Sequence, residues 1–284
     1  FVDERWEHEL AGNANPIKLL NPIASQMSVM RSTLIGSLLQ VVKFNADRKA
    51  DRVRVFELGR VFLRNAQVVN SDSSVEGFDQ PMRVAGMAWG PVETLGWQGK
   101  ARQVDYFDVK GDVEALLAPQ QAEFVACEHP ALHPGRSAQV VLDGVVIGHV
   151  GELHPRWRQA WELSSAPVVF ELSLDAVTAR VVPVAQGVAK QQPVERDIAV
   201  IVAESVTHDQ LMKAIHAAPT DGLLQNAVLF DIYRSKADAP AGSLAVGEKS
   251  LAVRLTLGAA EASLTEAQIE VAMNAVLAHL AAQV

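Results

Sequence analysis

The chain has one cysteine, Cys127, in 284 residues, so it forms no internal disulfide and is not a small scaffold stapled by bridges. Long apolar runs are also missing: a stretch such as Ile198–Ala203 is far too short to cross a bilayer. No basic segment followed by an apolar core opens the chain, which points away from a secretory signal and toward the cytoplasm. Positive charge is scarce. Against 33 Asp and Glu stand 25 Lys and Arg, a net charge of −8, so a surface that coats nucleic acid nonspecifically is not expected, although a small RNA contact is not excluded. No phosphate-binding glycine turn leads into a helix; Gly148-His149-Val150-Gly151 comes nearest, but it runs into Glu152 and His154-Pro155 without a Lys-Ser or Lys-Thr. A Gly-x-Ser-x-Gly elbow, a sequence-visible triad and internal repeats are absent too. What is present is globular in composition, 49% hydrophobic and 20% charged, with length for one large domain or two ordinary ones.

Phe1 is not an initiator Met, and the chain stops inside an apolar helical pattern at Ala281-Ala282-Gln283-Val284, so a piece of a longer protein is expected. Helical spacing of Met27, Met30, Leu34, Leu38, Val41 and Val42 predicts a helix over Ser25–Phe44, starting near Ser28 or Ser32. Arg52–Phe62 and Arg83–Trp89 read as strands, and Phe107–Leu117 as a helix opening at Asp105 or Asp108. Asp143-Gly144 between two apolar runs is the strongest hairpin signal in the chain. Val168–Leu174 is a further strand. From Val181 to Pro193 two prolines, a glycine and three glutamines break the pattern, which predicts a linker over 183–193 between a unit of residues 1–182 and one of 194–284.

The second unit reads as strand Ile198–Val202, helix His208–Ala217 capped by Thr207, strands Leu224–Tyr233 and Ser250–Leu257, and a helix opened by the capping box Thr265…Gln268. That order, β-α-β-β-α, is a ferredoxin-like βαββαβ module with its last strand truncated.

Few clusters here could carry chemistry. Cys127, His129 and His133 have a spacing that suits a metal, but they sit among prolines with no fourth ligand nearby, and no metal is assigned. Lys43, Arg48, Lys49, Arg52, Arg54, Arg60 and Arg64 are interleaved with Asp47, Asp51 and Glu57, which fits a solvated face. A strand carrying Asp231, Tyr233 and Arg234, with Lys249-Ser250 on the next, offers one aromatic ring beside a few hydrogen-bonding groups, the minimum for reading unstacked bases.

Asn21–Leu39 (NPIASQMSVMRSTLIGSLL), Arg52–Phe62 (RVRVFELGRVF), Tyr106–Leu117 (YFDVKGDVEALL), His133–Ala138 (HPGRSA) and Gly148–Pro155 (GHVGELHP) together resemble the β subunit of bacterial phenylalanine–tRNA ligases. The stretch from Pro193-Val194-Glu195-Arg196-Asp197 through LFDIYR and GEKSLAVRL resembles the ferredoxin-fold anticodon-binding domain of that subunit. The resemblance implies an α+β protein: a class II synthetase-like antiparallel sheet with helices, followed by the ferredoxin-like domain. It implies an α2β2 assembly in which the α subunit holds ATP and Mg and performs the chemistry, with no catalytic residue and no cofactor in this chain. Where the family motif Phe-Arg-x-Glu is expected, Phe62-Leu63-Arg64-Asn65-Ala66 has Ala66 in place of the carboxylate, and the glycine-rich third motif ending in Glu-Arg is missing. It further implies a contact with the tRNA(Phe) anticodon through Asp231, Tyr233 and Ser250, with Lys249, Arg234 and Arg196 meeting phosphate. A self-contained class II ATP-dependent ligase and a pure interaction scaffold are the competing readings.

Overall fold

A computed structural model describes residues 1–72, 74–94, 96–97, 99, 102–179, 182, 184–185, 191–235, 244–245, 247–259 and 262–283. The chain divides into two compact units, Phe1–Val181 and Val182–Val284. Of the stretch expected as a linker, residues 183 and 186–190 lie outside the described residues.

The N-terminal unit runs α1 (Glu4–Glu9), α2 (Ile35–Asp47), β1 (Val53–Arg60), β2 (Leu63–Arg64), β3 (Phe78–Asp79), β4 (Met82–Trp89), α3 (Tyr106–Leu117), β5 (Glu123–Ala126), β6 (Leu132–Leu142), β7 (Val145–Leu153), α4 (Pro155–Ala160), β8 (Val168–Ser173) and α5 (Leu174–Thr178). Six of the strands form one antiparallel sheet in the order β1-β4-β8-β7-β6-β5. A helix packs on each face, while Phe56 and Leu58 of the outer strand β1 remain exposed. On one, Leu38, Leu39 and Val42 of α2 pack on Ala85, Met87 and Val169; on the other, Val109, Val113 and Leu117 of α3 pack with Val140, Val150 and Leu172. Asp143 and Gly144 join β6 to β7 with φ of 50° and 77°, the left-handed pair that matches the twist of a two-residue hairpin. At the start of α3, Asp105 accepts from the backbone N–H groups of Phe107 and Asp108.

The helix expected over Ser25–Phe44 is corrected. Only a 3₁₀ turn forms at Ser25–Met27, and α2 begins at Ile35 and runs on to Asp47. Tertiary partners set that start. Val29 bridges Val2 and Lys18 in extended pairing, and the Ser32 N–H and hydroxyl are held by the buried Glu7 carboxylate. The Thr33 hydroxyl and the Leu34 N–H are held by Glu171 of β8. Glu171 is 9% exposed, and burial raises its pKa, opposed by the Thr33 and Leu34 bonds.

The C-terminal unit runs β9 (Val194–Ala203), α6 (His208–Ala217), β10 (Leu224–Arg234), β11 (Glu248–Leu257) and α7 (Glu266–Gln283). Its antiparallel sheet has the order β10-β11-β9, and these are its three strands among the described residues. The helix starts follow local chemistry, since Thr207 with Gln210 and Thr265 with Gln268 exchange side-chain and backbone bonds across the first turn. Ile198, Val202, Leu251, Val253 and Leu255 point to one side and bury against Leu211, Ile215, Val276 and Leu280 of the two helices. Strand alternation then sends the intervening residues to a face that neither helix covers.

Candidate nucleic-acid interface

Register lays out that open face row by row. Tyr233, Ser250 and Ile201 lie opposite one another on β10, β11 and β9, followed by Asp231, Ala252 and Ala199, then Val228, Arg254 and Asp197. Opposed residues of an antiparallel ladder share a face. Tyr233 is 53% exposed and Ile201 60%, on the two outer strands that flank β11. Asp231 accepts from the N–H of Ile232 through one carboxylate oxygen at 2.8 Å, which fixes the group at the strand surface. The loop at 239–242, which would have to cover Tyr233 if the ring were merely packed, lies outside the described residues. Together the three groups offer an aromatic face, an anionic acceptor and a hydroxyl within two rungs of one ladder. They can stack a base and accept from a donor on its edge.

The other three residues expected at this contact lie on the opposite side of the sheet. Arg234 pairs with Lys249 across β10 and β11, one step out of phase with Tyr233 and Ser250. The Arg234 guanidinium grips both carboxylate oxygens of Glu204, at 2.8 to 3.1 Å. That bond lowers the Glu204 pKa and raises that of Arg234. Lys249 is buried and donates to the Glu204 carbonyl at 2.9 Å. Arg196, opposite the buried Leu255, binds Glu266 at the start of α7 at 3.2 Å. The six residues therefore divide three and three, because a period of two separates neighbours in sequence onto different faces.

Two open-face residues escaped the sequence reading. Arg254 holds Asp197 through two parallel bonds of 2.8 and 2.9 Å, which raises the arginine pKa and lowers that of the aspartate. Its guanidinium carbon lies 5.4 Å from the ring centroid of Phe230, which is 53% exposed. Both residues are visible in the sequence. The strand irregularity between Leu229 and Asp231 that brings Phe230 beside Asp231 is not.

In the N-terminal unit the residues singled out in the sequence are engaged locally. Arg64 donates to the carbonyls of Asn15 and Pro16 and lies over Phe78, and Ala66 sits in the turn that follows. Cys127, His129 and His133 do not converge. The Nδ1 atoms of His129 and His133 each accept the backbone N–H two residues on, as does His154. Burial, with His149 at 5.0 Å, pushes His129 down to about 4. Among the described residues no group of three or more His, Cys, Asp or Glu side chains could hold a metal ion, and no helix is long and apolar enough to cross a membrane.

Comparison with known proteins finds one family model within each unit. Residues 1–174 match the family model described as the phenylalanyl tRNA synthetase beta chain CLM domain, and residues 189–284 match the ferredoxin-fold anticodon binding domain. The protein named phenylalanine–tRNA ligase beta subunit of Burkholderia pseudomallei (strain 1710b) is 49% identical over 99% of this chain. That of Ralstonia nicotianae is 53% identical over 96%, and that of Chromobacterium violaceum 51% over 98%. The chain spans about a third of the length of these relatives, 33 to 35%. With both halves matched in order and half of its residues shared across nearly its full length, the chain belongs to the phenylalanyl-tRNA synthetase β-chain family.

Proposed function

We propose that the C-terminal unit reads the anticodon of tRNA(Phe) on the open face of its sheet, within a phenylalanine–tRNA ligase assembled with α subunits as α2β2 in the cytoplasm. The observation that carries this reading is the uncovered row of Tyr233, Asp231 and Ser250, an aromatic ring and two polar groups turned to solvent where a packed sheet would be sealed. Tyr233 stacks a base, Asp231 accepts from a guanine edge and so converts stacking into choice, and Ser250 adds a short polar contact. Arg234, Lys249 and Arg196 each have a partner on the helix side, and the proposal assigns them to holding the strand ends rather than to phosphate.

The N-terminal unit serves as a class II synthetase-like module without chemistry of its own, and the activation of phenylalanine with ATP and Mg belongs to the α subunit. Ala66 offers no carboxylate to an ammonium group, and Arg64 is committed to backbone carbonyls. Glu195-Arg196 lies on β9 with Arg196 tied to α7. Neither motif position thus offers an adenylate an uncommitted carboxylate and guanidinium pair. The test is the assembled ligase carrying Tyr233→Ala or Asp231→Ala. A raised KM for tRNA, with phenylalanine-dependent pyrophosphate exchange unchanged, supports the reading. An unchanged tRNA KM in both variants, with folding confirmed, places the anticodon elsewhere.

A further inference from the structure

We infer that the bulge in β10 builds a second base platform, Phe230 with Arg254, beside the Tyr233 face, so that the sheet holds two neighbouring unstacked nucleotides instead of one. The inference rests on the reading of this face as an RNA contact.

A regular strand has one phase. Counted from Ala227 and Leu229, which pack toward the helices, a regular β10 would present Val228 and Phe230 to the open side and turn Asp231 and Tyr233 inward. Counted from Tyr233, it would present Asp231 and Leu229 and turn Phe230 inward. The two sets exclude each other. Leu229 pairs with Val253 and Asp231 with Ala252, so Phe230 is the extra residue, and the phase shifts there by one. Its contact with Arg254, whose neighbours Val253 and Leu255 are buried on the helix side, fixes the Phe230 ring on the open face. Val228, Phe230, Asp231 and Tyr233 thus share one surface, an arrangement that only the irregularity allows.

Phe230 has no polar atom to reward half-exposure, yet its ring is left open beside a guanidinium. Asp197 holds that guanidinium bidentately and Glu195 approaches it at 3.5 Å, so its plane is oriented and its charge balanced. Aromatic rings and guanidinium planes are the two side-chain surfaces on which unstacked bases rest. Tyr233 lies three steps along the strand from Phe230, at most about 10 Å along the chain, a span that adjacent splayed nucleotides can bridge. Because Arg254 is already neutralised, the platform adds stacking without adding counterion release.

The experiment uses the full β subunit assembled with α. Phe230→Leu keeps the apolar volume and removes the π face, and Phe230→Tyr restores it. Phe230→Leu is expected to raise the KM for tRNA roughly tenfold, with pyrophosphate exchange unchanged and Phe230→Tyr close to wild type. Each variant is then tested on transcripts lacking the base at one anticodon position at a time. At one position other than the one coupled to Tyr233, loss of the base and loss of the ring are expected to cost no more together than either alone. A wild-type KM for Phe230→Leu, or full additivity at every position, overturns the second platform. Tyr233→Ala, measured alongside, separates the failures: if it too is silent, the reading of the whole face falls, and if it raises KM while Phe230→Leu does not, only this inference falls.

Discussion

The two units are built from antiparallel sheets that differ in how they are covered. Helices pack on both faces of the N-terminal sheet, although Phe56 and Leu58 of its outer strand β1 stay exposed, and buried carboxylates there are satisfied internally, Glu171 by Thr33 and Leu34 and Glu7 by Ser32 and Asn13. Those groups fix the start of α2 and have little left to offer a ligand. The C-terminal sheet is sealed on one face only. Its other face leaves Tyr233, Phe230 and Ile201 open to solvent at a hydrophobic cost that no packing within the unit recovers.

The strongest way to break this comparison is to disturb a closed sheet where it has no room. A Cβ at Gly148 of β7 would lie 2.0 Å from the Glu171 carbonyl oxygen of β8, a clash of backbone with backbone that no rotamer relieves. Gly148→Val is expected to destabilise the N-terminal unit by about 3 kcal/mol or more. In calorimetry the transition of that unit should move down while the melting of residues 191–283 stays in place. A single transition that shifts as a whole would show that the two units do not unfold separately.

Acid sharpens the comparison from the other side. Burial holds His129 neutral, with a pKa near 4 against an ordinary value of about 6.5. Protonation therefore favours the unfolded chain between those values. The stabilisation is complete above pH 6.5 and is lost as the pH falls toward 4, an effect on the order of 2–3 kcal/mol. His129→Asn keeps an acceptor for the Ala131 N–H while removing the titration, so it should flatten the pH dependence of the N-terminal transition over that window. An unaltered slope would assign the acid sensitivity to other groups, His149 first among them, since burial lowers its pKa as well.

The smallest expected effect is at the rim of the open sheet. Arg234→Gln removes the grip on Glu204, an exposed pair screened by solvent, and should leave the melting temperature nearly unchanged. If Arg234 only ties the strand end, the tRNA KM of the assembled ligase should change by less than about twofold, and the slope of KM with salt should not change. A clear loss of affinity and a shallower salt slope would return Arg234 to the RNA contact.

Much of the fold is written locally. The hairpin at Asp143-Gly144, the capping boxes at Thr207 and Thr265 and the β-α-β-β-α order of the second unit each depend on residues within a few positions of one another, and sequence patterns report such terms directly. Asp231, Tyr233 and Ser250 were singled out by resemblance to a motif, and the ladder places them on one face. Three features were decided only by the folded chain. The beginning of α2 waits on Glu171, more than 130 residues away, because an unpaired carboxylate buried in the sheet must find donors and the 33–34 backbone supplies them. The side on which Arg196, Arg234 and Lys249 lie follows from ladder register with residues 15 to 59 positions distant. The phase shift that puts Phe230 beside Asp231 belongs to the pairing of β10 with β11, where two residues must oppose one, and no property of β10 alone encodes it. Local order came from the sequence because its energies are local, and the open face of the second sheet came from the tertiary structure because a face exists only once strands are paired.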